Sequence, residues 1–305
     1  MRVVMALGGN ALLRRGESLD VEVQRANVRV AARAIAEVAR RHTVIVTHGN
    51  GPQVGLLALQ SEAFADVRAY PLDVLGAESE GMIGYLLAQE LKNELPEREI
   101  AVLLTQVRVD VDDPAFARPD KPIGPLYEDE EQARSAATRG VQVARDGEGW
   151  RRVVASPLPR EVLELATIEL LVDAGRLVVC AGGGGIPVVR GTDGALRGVE
   201  AVIDKDRSAC RLGLDLGADL LLLLTDVAAV YRDWPGCAEP LRRVAPEDLR
   251  ALTLAAGSMA PKVDAACRFV EGGGARAAIG ALQDAPALVR GERGTQVELG
   301  APARW

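Results

Sequence analysis

Six short runs of this chain are apolar at nearly every position, and they limit the fold more than any other feature. They span 3–7, 43–47, 100–105, 177–180, 220–224 and 277–281. A strand with one wet face alternates apolar and polar residues; a strand covered on both faces does not. Amphipathic stretches of helical length lie at 20–41, 52–64, 72–95, 160–174, 205–216 and 261–272. Strand alternating with helix predicts an α/β fold, a mostly parallel sheet with helices on both faces. At 305 residues the chain has ample core for one large domain or two smaller ones.

One segment breaks the rhythm. Residues 110–155 are polar and charged and carry Pro114, Pro119, Pro122 and Pro125. A loop that long inside a compact domain is a lid, a subdomain or disorder. Phe116, Ile123, Leu126, Tyr127 and Trp150 favour a small folded excursion.

Three predicted strands end in glycine-rich turns: ALGGNALL (6–13), THGNGPQVG (47–55) and CAGGGGIPVV (180–189). Glycine lets backbone N–H groups approach an anion, and a helix starting just beyond adds its positive dipole end. Any one such turn is explained by tight chain reversal. Three at the carboxyl ends of parallel strands predict one binding crevice. There is no GxxxxGK[ST], and no strand–GxGxxG–helix unit followed by an acid, which disfavours a P-loop protein and a dinucleotide fold. His48 reads as a hydrogen-bonded brace for its turn rather than a base.

The turns supply dipoles but no full positive charge. Only 4 of the 36 lysine and arginine residues are lysine: Lys92, Lys121, Lys205 and Lys262. A compact ammonium fits between phosphate oxygens where a planar guanidinium does not, so each lysine kept in so arginine-rich a chain is a candidate phosphate ligand. Lys92, late in a helix, suits the helix C-terminus and a solvated face. Lys205 and Lys262 sit at predicted helix starts, against the dipole, and Lys121 lies in PDKPIGP of the excursion. These three fit phosphoryl transfer, where catalysis is mostly positioning and charge stabilisation. Asp206 is a candidate for fixing the ammonium groups or for holding Mg²⁺ through phosphate or water. Plain helix capping is the other reading of Asp204 and Asp206. The Thr225–Asp226 pair after the 220–224 run, with Tyr231 beyond, offers a wall for a nucleotide base.

A net charge of −7 argues against nucleic acid or an anionic membrane as the main partner, though not against a local anion site. No signal peptide precedes the first strand-like run, and no apolar run approaches the ~20 residues of a membrane helix. Cys180, Cys210, Cys237 and Cys267 lack CxxC spacing and read as reduced thiols, mostly buried; with only His42 and His48 besides, a zinc site is disfavoured.

Taken together, GGNAL (8–12), HGNGPQVG (48–55), PLDVLGAESEGMIGY (71–85), KPIGPLY (121–127), GGGGIPV (182–188), VIDKD (202–206), LTDVAAVY (224–231) and GSMAPKV (257–263) resemble the carbamate kinases of the amino acid kinase superfamily, over nearly the whole chain. The resemblance implies an open αβα sandwich with a mainly parallel eight-stranded sheet. It implies one domain, 1–305, with a mobile protruding subdomain at 112–155. The implied reaction is reversible, Mg²⁺-dependent phosphoryl transfer between ATP and carbamate, giving ADP and carbamoyl phosphate. Many members run it toward ATP, using carbamoyl phosphate from arginine or purine degradation. A cytoplasmic homodimer is implied, with the helix around 81–91 near the interface and Gly81 and Gly84 allowing close approach.

Carried over residue by residue, Lys121, Lys205, Asp206 and Lys262 form the catalytic group. Gly8, Gly9, Asn10, Gly49, Asn50 and Gly51 line the acceptor and phosphate side. Gly183, Gly184, Thr225, Asp226, Tyr231, Met259 and Pro261 border the nucleotide. No residue is assigned as a direct metal ligand. Relatives acting on larger acids such as acetylglutamate, or on phosphonates, usually carry a lysine in the first glycine turn; ALGGNALL has none. ASP at 155–157 stands where PSP is expected, and LGAES (75–79) is unusual, but neither departure removes a charge the mechanism needs.

Overall fold

The run RVVMAL forms the strand Arg2–Leu7 near the middle of the main sheet. Side chains alternate along a strand, so Val3, Met5 and Leu7 enter one apolar layer and Val4 and Ala6 the other. Both faces are covered, which is why the run has no polar position. A computed structural model of the chain describes every residue except 14, 15, 65, 67, 139, 140, 233–238, 253–258 and 305; the side chains of 10, 11 and 135–138 are also outside it.

The main sheet has eight strands, in the order Arg243–Val244, Thr295–Val297, Arg276–Ala281, Leu220–Thr225, Arg2–Leu7, Thr43–His48, Leu177–Val179, Ile100–Val102. Only the Arg276–Ala281/Thr295–Val297 pairing is antiparallel. Helices Val21–Ala39, Leu72–Glu94 and Ala285–Arg290 pack on one face, and Leu165–Asp173, Lys205–Asp215 and Met259–Glu271 on the other. This is the αβα sandwich expected.

Several element assignments differ from the sequence reading. The helix predicted over 160–174 begins only at Leu165, because Glu161–Val162 pairs as a strand with Gln106–Arg108. That pair belongs to a separate four-stranded sheet, Leu196–Gly198, Ile186–Arg190, Gln106–Arg108, Glu161–Val162. The 100–105 run pairs only at Ile100–Val102, leaving Thr105 to serve other chain crossings.

Residues 121–154 build a third sheet, antiparallel, of Lys121–Tyr127, Gly149–Val154 and Val143–Asp146, with the helix Glu130–Thr138. The Arg145 guanidinium lies 5.4 Å from the Trp150 ring centroid and braces the hairpin. Ile123 and Val154 enter a small apolar core with Val54, Ala58, Leu72 and Leu75 of the main body. At the same place the backbones of Gly55 and Gly124 touch. A methyl group on Gly55 would overlap the Gly124 backbone, and Gly124 is itself left-handed, with φ +73°. Gly55→Ala is therefore expected to lift the small sheet off the Gly51–Ala63 helix. Limited proteolysis within 112–155 should accelerate several-fold; an unchanged cleavage rate would show that the contact yields at no cost.

Candidate active site

Parallel register aligns the ends of neighbouring strands, with Leu7 opposite both His48 and Leu224. The turns that follow therefore form a continuous arc. Gly8 N donates to Leu224 O (3.1 Å), and Gly49 N donates to Leu7 O (3.0 Å). A Cβ on Gly8 would lie 2.9 Å from Leu224 O, and one on Gly49 would lie 3.2 Å from Gly9 N. At Gly9 and Gly51 a Cβ would meet nothing within 4 Å, so both face open space. Asn10 follows on the short helix Gly9–Leu12, its side chain outside the described atoms. Asn50 is buried beside Gly51, the first residue of its helix. His48 Nδ1 lies 3.1 Å from Gly49 O, and complete burial pulls its pKa down to about 4. His48 is thus a neutral brace.

Three lysines converge on two carboxylates at the edge of this arc. Asp204 is the N-cap of the Lys205–Asp215 helix; its Oδ1 accepts from Asp206 N (2.9 Å) and Arg207 N (3.3 Å). Its Oδ2 accepts from Lys121 Nζ at 2.8 Å, so one carboxylate caps a helix and ties down the small sheet. Asp206 does not cap. Its Oδ1 accepts from Lys205 Nζ (2.6 Å) and its Oδ2 from Lys262 Nζ (3.1 Å). Lys205, Asp206 and Lys262 are 7%, 2% and 4% exposed, far more buried than such residues usually are. Three ammonium groups against two carboxylates leave one net positive charge. The Lys205 stem runs beneath the second turn, with Cδ 3.3 Å from where a Gly49 Cβ would stand.

The two lysines that share Asp206 titrate in opposite directions. Burial dominates at Lys205 and pulls it down to about 8, with Lys262 adding to the fall against Asp206 and Asp204. Burial also pulls on Lys262, but Asp206 and Asp204 outweigh it and hold that ammonium above the ordinary lysine range. Lys205 is therefore the first to lose its proton. Burial raises Asp204, but Lys121 and Lys205 overcome it and keep that carboxylate ionised well below the usual range. Lys92, as expected, stands apart: its Nζ donates to Arg98 O (3.0 Å) on an exposed edge.

The third glycine turn packs against the second. Gly183 presses on the Asn50 amide and Gly184 on Ile203 O, where added methyl groups would overlap them. Their strand, Leu177–Val179, is separated from Leu220–Thr225 by two others, so both glycines are set apart from Thr225 and lie beside the second turn. Thr225 ends its strand with Oγ1 donating to Asp226 Oδ1 (3.1 Å), and Tyr231 bridges to Pro240. Met259 and Pro261 occupy the first turn of the helix that carries Lys262. Cys180, Cys210 and Cys267 are buried free thiols; Cys237 lies outside the described residues. Sequence reasoning missed three residues that touch the turns, Ser79, Glu80 and Ser208. Their small or acidic character inside helices gave no period to read. Among the described residues no three His, Cys, Asp or Glu side chains cluster to hold a metal, and no helix is long and apolar enough to cross a membrane.

The amino acid kinase family model matches residues 1–281, and the chain belongs to that family. Its near-full-length identity of about half with curated carbamate kinases makes it a kinase. Within the family it groups with the carbamate kinases. A carbamate kinase of Rhizobium meliloti is 55% identical over 97% of this chain and 92% of its own length. The structure of the Giardia lamblia carbamate kinase bound to citric acid superposes with a TM-score of 0.92 at 39% identity, covering 98% of each chain. The same Giardia enzyme bound to AMP-PNP gives 0.88 at 39% identity, again covering 98% of each.

Proposed function

We propose that the chain transfers a phosphoryl group reversibly between ATP and carbamate, giving ADP and carbamoyl phosphate. The observation that carries the reading is the convergence of Lys121, Lys205 and Lys262 on Asp204 and Asp206 beside the glycine turns. Carbamate is already an anion and needs no general base. The obstacle is bringing two negative groups together, and buried ammonium groups with preorganised N–H donors lower it.

In this reading Lys205 and Lys262 flank the transferring phosphoryl group, and Asp206 holds them apart at fixed spacing. Lys121 arrives with residues 112–155, which act as a lid inserted in a single domain. Gly8, Gly9, Asn10, Gly49, Asn50 and Gly51 take the acceptor side. Gly183 and Gly184 join them there in this proposal, because Gly183 presses on the Asn50 amide and Gly184 on Ile203 O. Thr225, Asp226, Tyr231, Met259 and Pro261 border the nucleotide. Mg²⁺ fits as a companion of the nucleotide phosphates, since Asp204 and Asp206 are already engaged by lysines; when bound, it neutralises charge on the phosphates. The physiological direction is toward ATP, in the cytoplasm, on carbamoyl phosphate from arginine or purine breakdown.

The test is ATP formation from ADP, Mg²⁺ and carbamoyl phosphate. Turnover supports the assignment. A folded, ADP-binding chain without turnover would move the acceptor to another small acid, to be screened with acetylglutamate and phosphonates. The low pKa of Lys205, about 8, adds a pH signature. Above that pH the free enzyme loses a positive charge, so kcat/KM for carbamoyl phosphate is expected to fall. Bound phosphate holds the proton on, so kcat should persist to higher pH. A kcat/KM flat to pH 10 would overturn the assignment of Lys205.

A homodimer is part of the same reading. Val74, Met82 and Tyr85 are exposed apolar residues on the Leu72–Glu94 helix, with exposed Phe64, Tyr70 and Leu104 also apolar. Tyr85→Glu is expected to convert a dimer into a monomer by light scattering; wild type eluting as a monomer would remove the proposal.

A further inference from the structure

The third glycine turn is left-handed, a conformation that glycine adopts freely but that is disfavoured at Ala181. Ala181 has φ +49°, the only non-glycine residue among those described with positive φ, and Gly183, Gly184 and Gly185 have φ +67°, +95° and +87°. Left-handed geometry costs a non-glycine residue roughly 1–2 kcal/mol, so surrounding contacts must impose it. The contacts come from two sides. Ser208 Oγ donates to Gly184 O (2.6 Å) from the helix that begins with Lys205. On the other side Gly182 N donates to Glu80 Oε1 (2.7 Å), and Ala181 N donates to Thr105 Oγ1 (2.9 Å). Glu80 Oε2 in turn accepts from Thr105 N (3.2 Å), so one carboxyl group ties the turn to the crossing beside it.

The residue just before Glu80 does the same for the second turn. Ser79 Oγ accepts from Asn50 Nδ2 (2.8 Å) and donates to Gly76 O (2.8 Å). Consecutive residues on a helix point about 100° apart, so one helix can serve two turns from neighbouring positions. Ser79 and Glu80 are 0% and 1% exposed. The turns also touch each other, Gly183 against Asn50, and the third touches Ile203 O, two residues before Lys205.

We propose that Ser79 and Glu80 are positioning residues that hold the second and third glycine turns at fixed spacing and so set the affinity for the small phosphorylated substrate. The proposal rests on the reaction assigned above. Neither side chain bonds to a lysine of the cluster; both act through backbone and Asn50. Their effect falls on the acceptor side and spares the nucleotide, because the first turn and the strand Arg2–Leu7 lie between them and Thr225.

Three variants test this, Glu80→Ala, Glu80→Gln and Ser79→Ala. Small misplacements of positioning groups cost up to about 10²-fold. Glu80→Ala is expected to raise KM for carbamoyl phosphate at least about ten-fold while KM for ADP stays within about two-fold. Both oxygens of the Glu80 carboxyl group accept a backbone N–H, and a glutamine offers one acceptor oxygen in their place, so Glu80→Gln should fall between wild type and Glu80→Ala. Ser79→Ala should shift the same KM in the same direction. Hydrogen–deuterium exchange at residues 182–185 should speed up in Glu80→Ala, a readout that needs no turnover. Unchanged exchange there would overturn the clamp whatever the reaction is. An equal rise in both KM values would reduce Glu80 and Ser79 to general fold support and overturn the proposal too. An inactive wild type with faster exchange in Glu80→Ala would instead refute the assigned reaction and leave the clamp standing.

Discussion

Lys205→Arg is expected to lower kcat by about 10²–10³-fold, the loss typical of removing one preorganised donor to a developing charge. Charge is conserved in this variant, so the effect comes from shape. The Lys205 stem lies between Gly49 and Asp206, with Cδ 3.3 Å from a Gly49 Cβ position and Nζ 2.6 Å from Asp206 Oδ1. A planar guanidinium reaches farther and bonds as a fork, so it cannot put a single ammonium point where the proposed reaction carries its phosphoryl group. Lys205→Met separates the two causes. It removes the charge and leaves Asp206 in a one-to-one pair with Lys262, so its melting temperature should stay close to wild type while turnover falls as far as in the arginine variant. Near-normal kcat in Lys205→Arg with an unchanged melting temperature would show that only charge matters at this position.

The lysines show how much of this site was legible beforehand. Arginine serves the surface pairs, as where Arg33 bonds Glu94 between two helices. Lysine is kept for the buried cluster, with exposed Lys92 as the exception. A composition bias thus pointed to three of the charges before any geometry did. The αβα sandwich was legible for a similar reason: a strand buried on both faces leaves a run with no polar gaps, as in LLLLLT at Leu220–Thr225. Short elements were not. Arg243–Val244 and Glu161–Val162 are too short to carry a period, and tertiary pairing decides them. Nor could the order of the strands be read from the sequence, so the contact of Gly183 with Asn50 was not legible there. Glu80 stayed hidden because a lone acid inside a helix reads as solvated. Only the fold shows it buried, its carboxyl pushed up to about 8 by desolvation against two backbone N–H bonds.

Asp206→Ala is expected to be the most damaging single change in the cluster. It leaves Lys205 and Lys262, both under 10% exposed, without their shared carboxylate. Breaking a buried pair by removing one partner costs about 3–5 kcal/mol, or roughly 5–8 °C in melting temperature for a chain of this size. Asp206→Asn keeps the shape and should lose nearly as much, which assigns the cost to charge. The pH dependence has a definite sign. Without the carboxylate both ammonium groups sit in the folded state with pKa values below the unfolded lysine value. Between those values the unfolded chain binds more protons, so stability rises with pH. The deficit of Asp206→Ala against wild type should therefore shrink between pH 7 and pH 9. Sulfate, supplying the missing negative charge, should raise the melting temperature of the variant more than that of the wild type. Adding Lys205→Met to Asp206→Ala should recover part of the stability but none of the turnover, since removing both partners of a buried pair is far less costly than removing one. A deficit that stayed constant with pH, and ignored sulfate, would mean that Asp206 serves packing rather than charge, and the lysines would then need another account of how they stay apart.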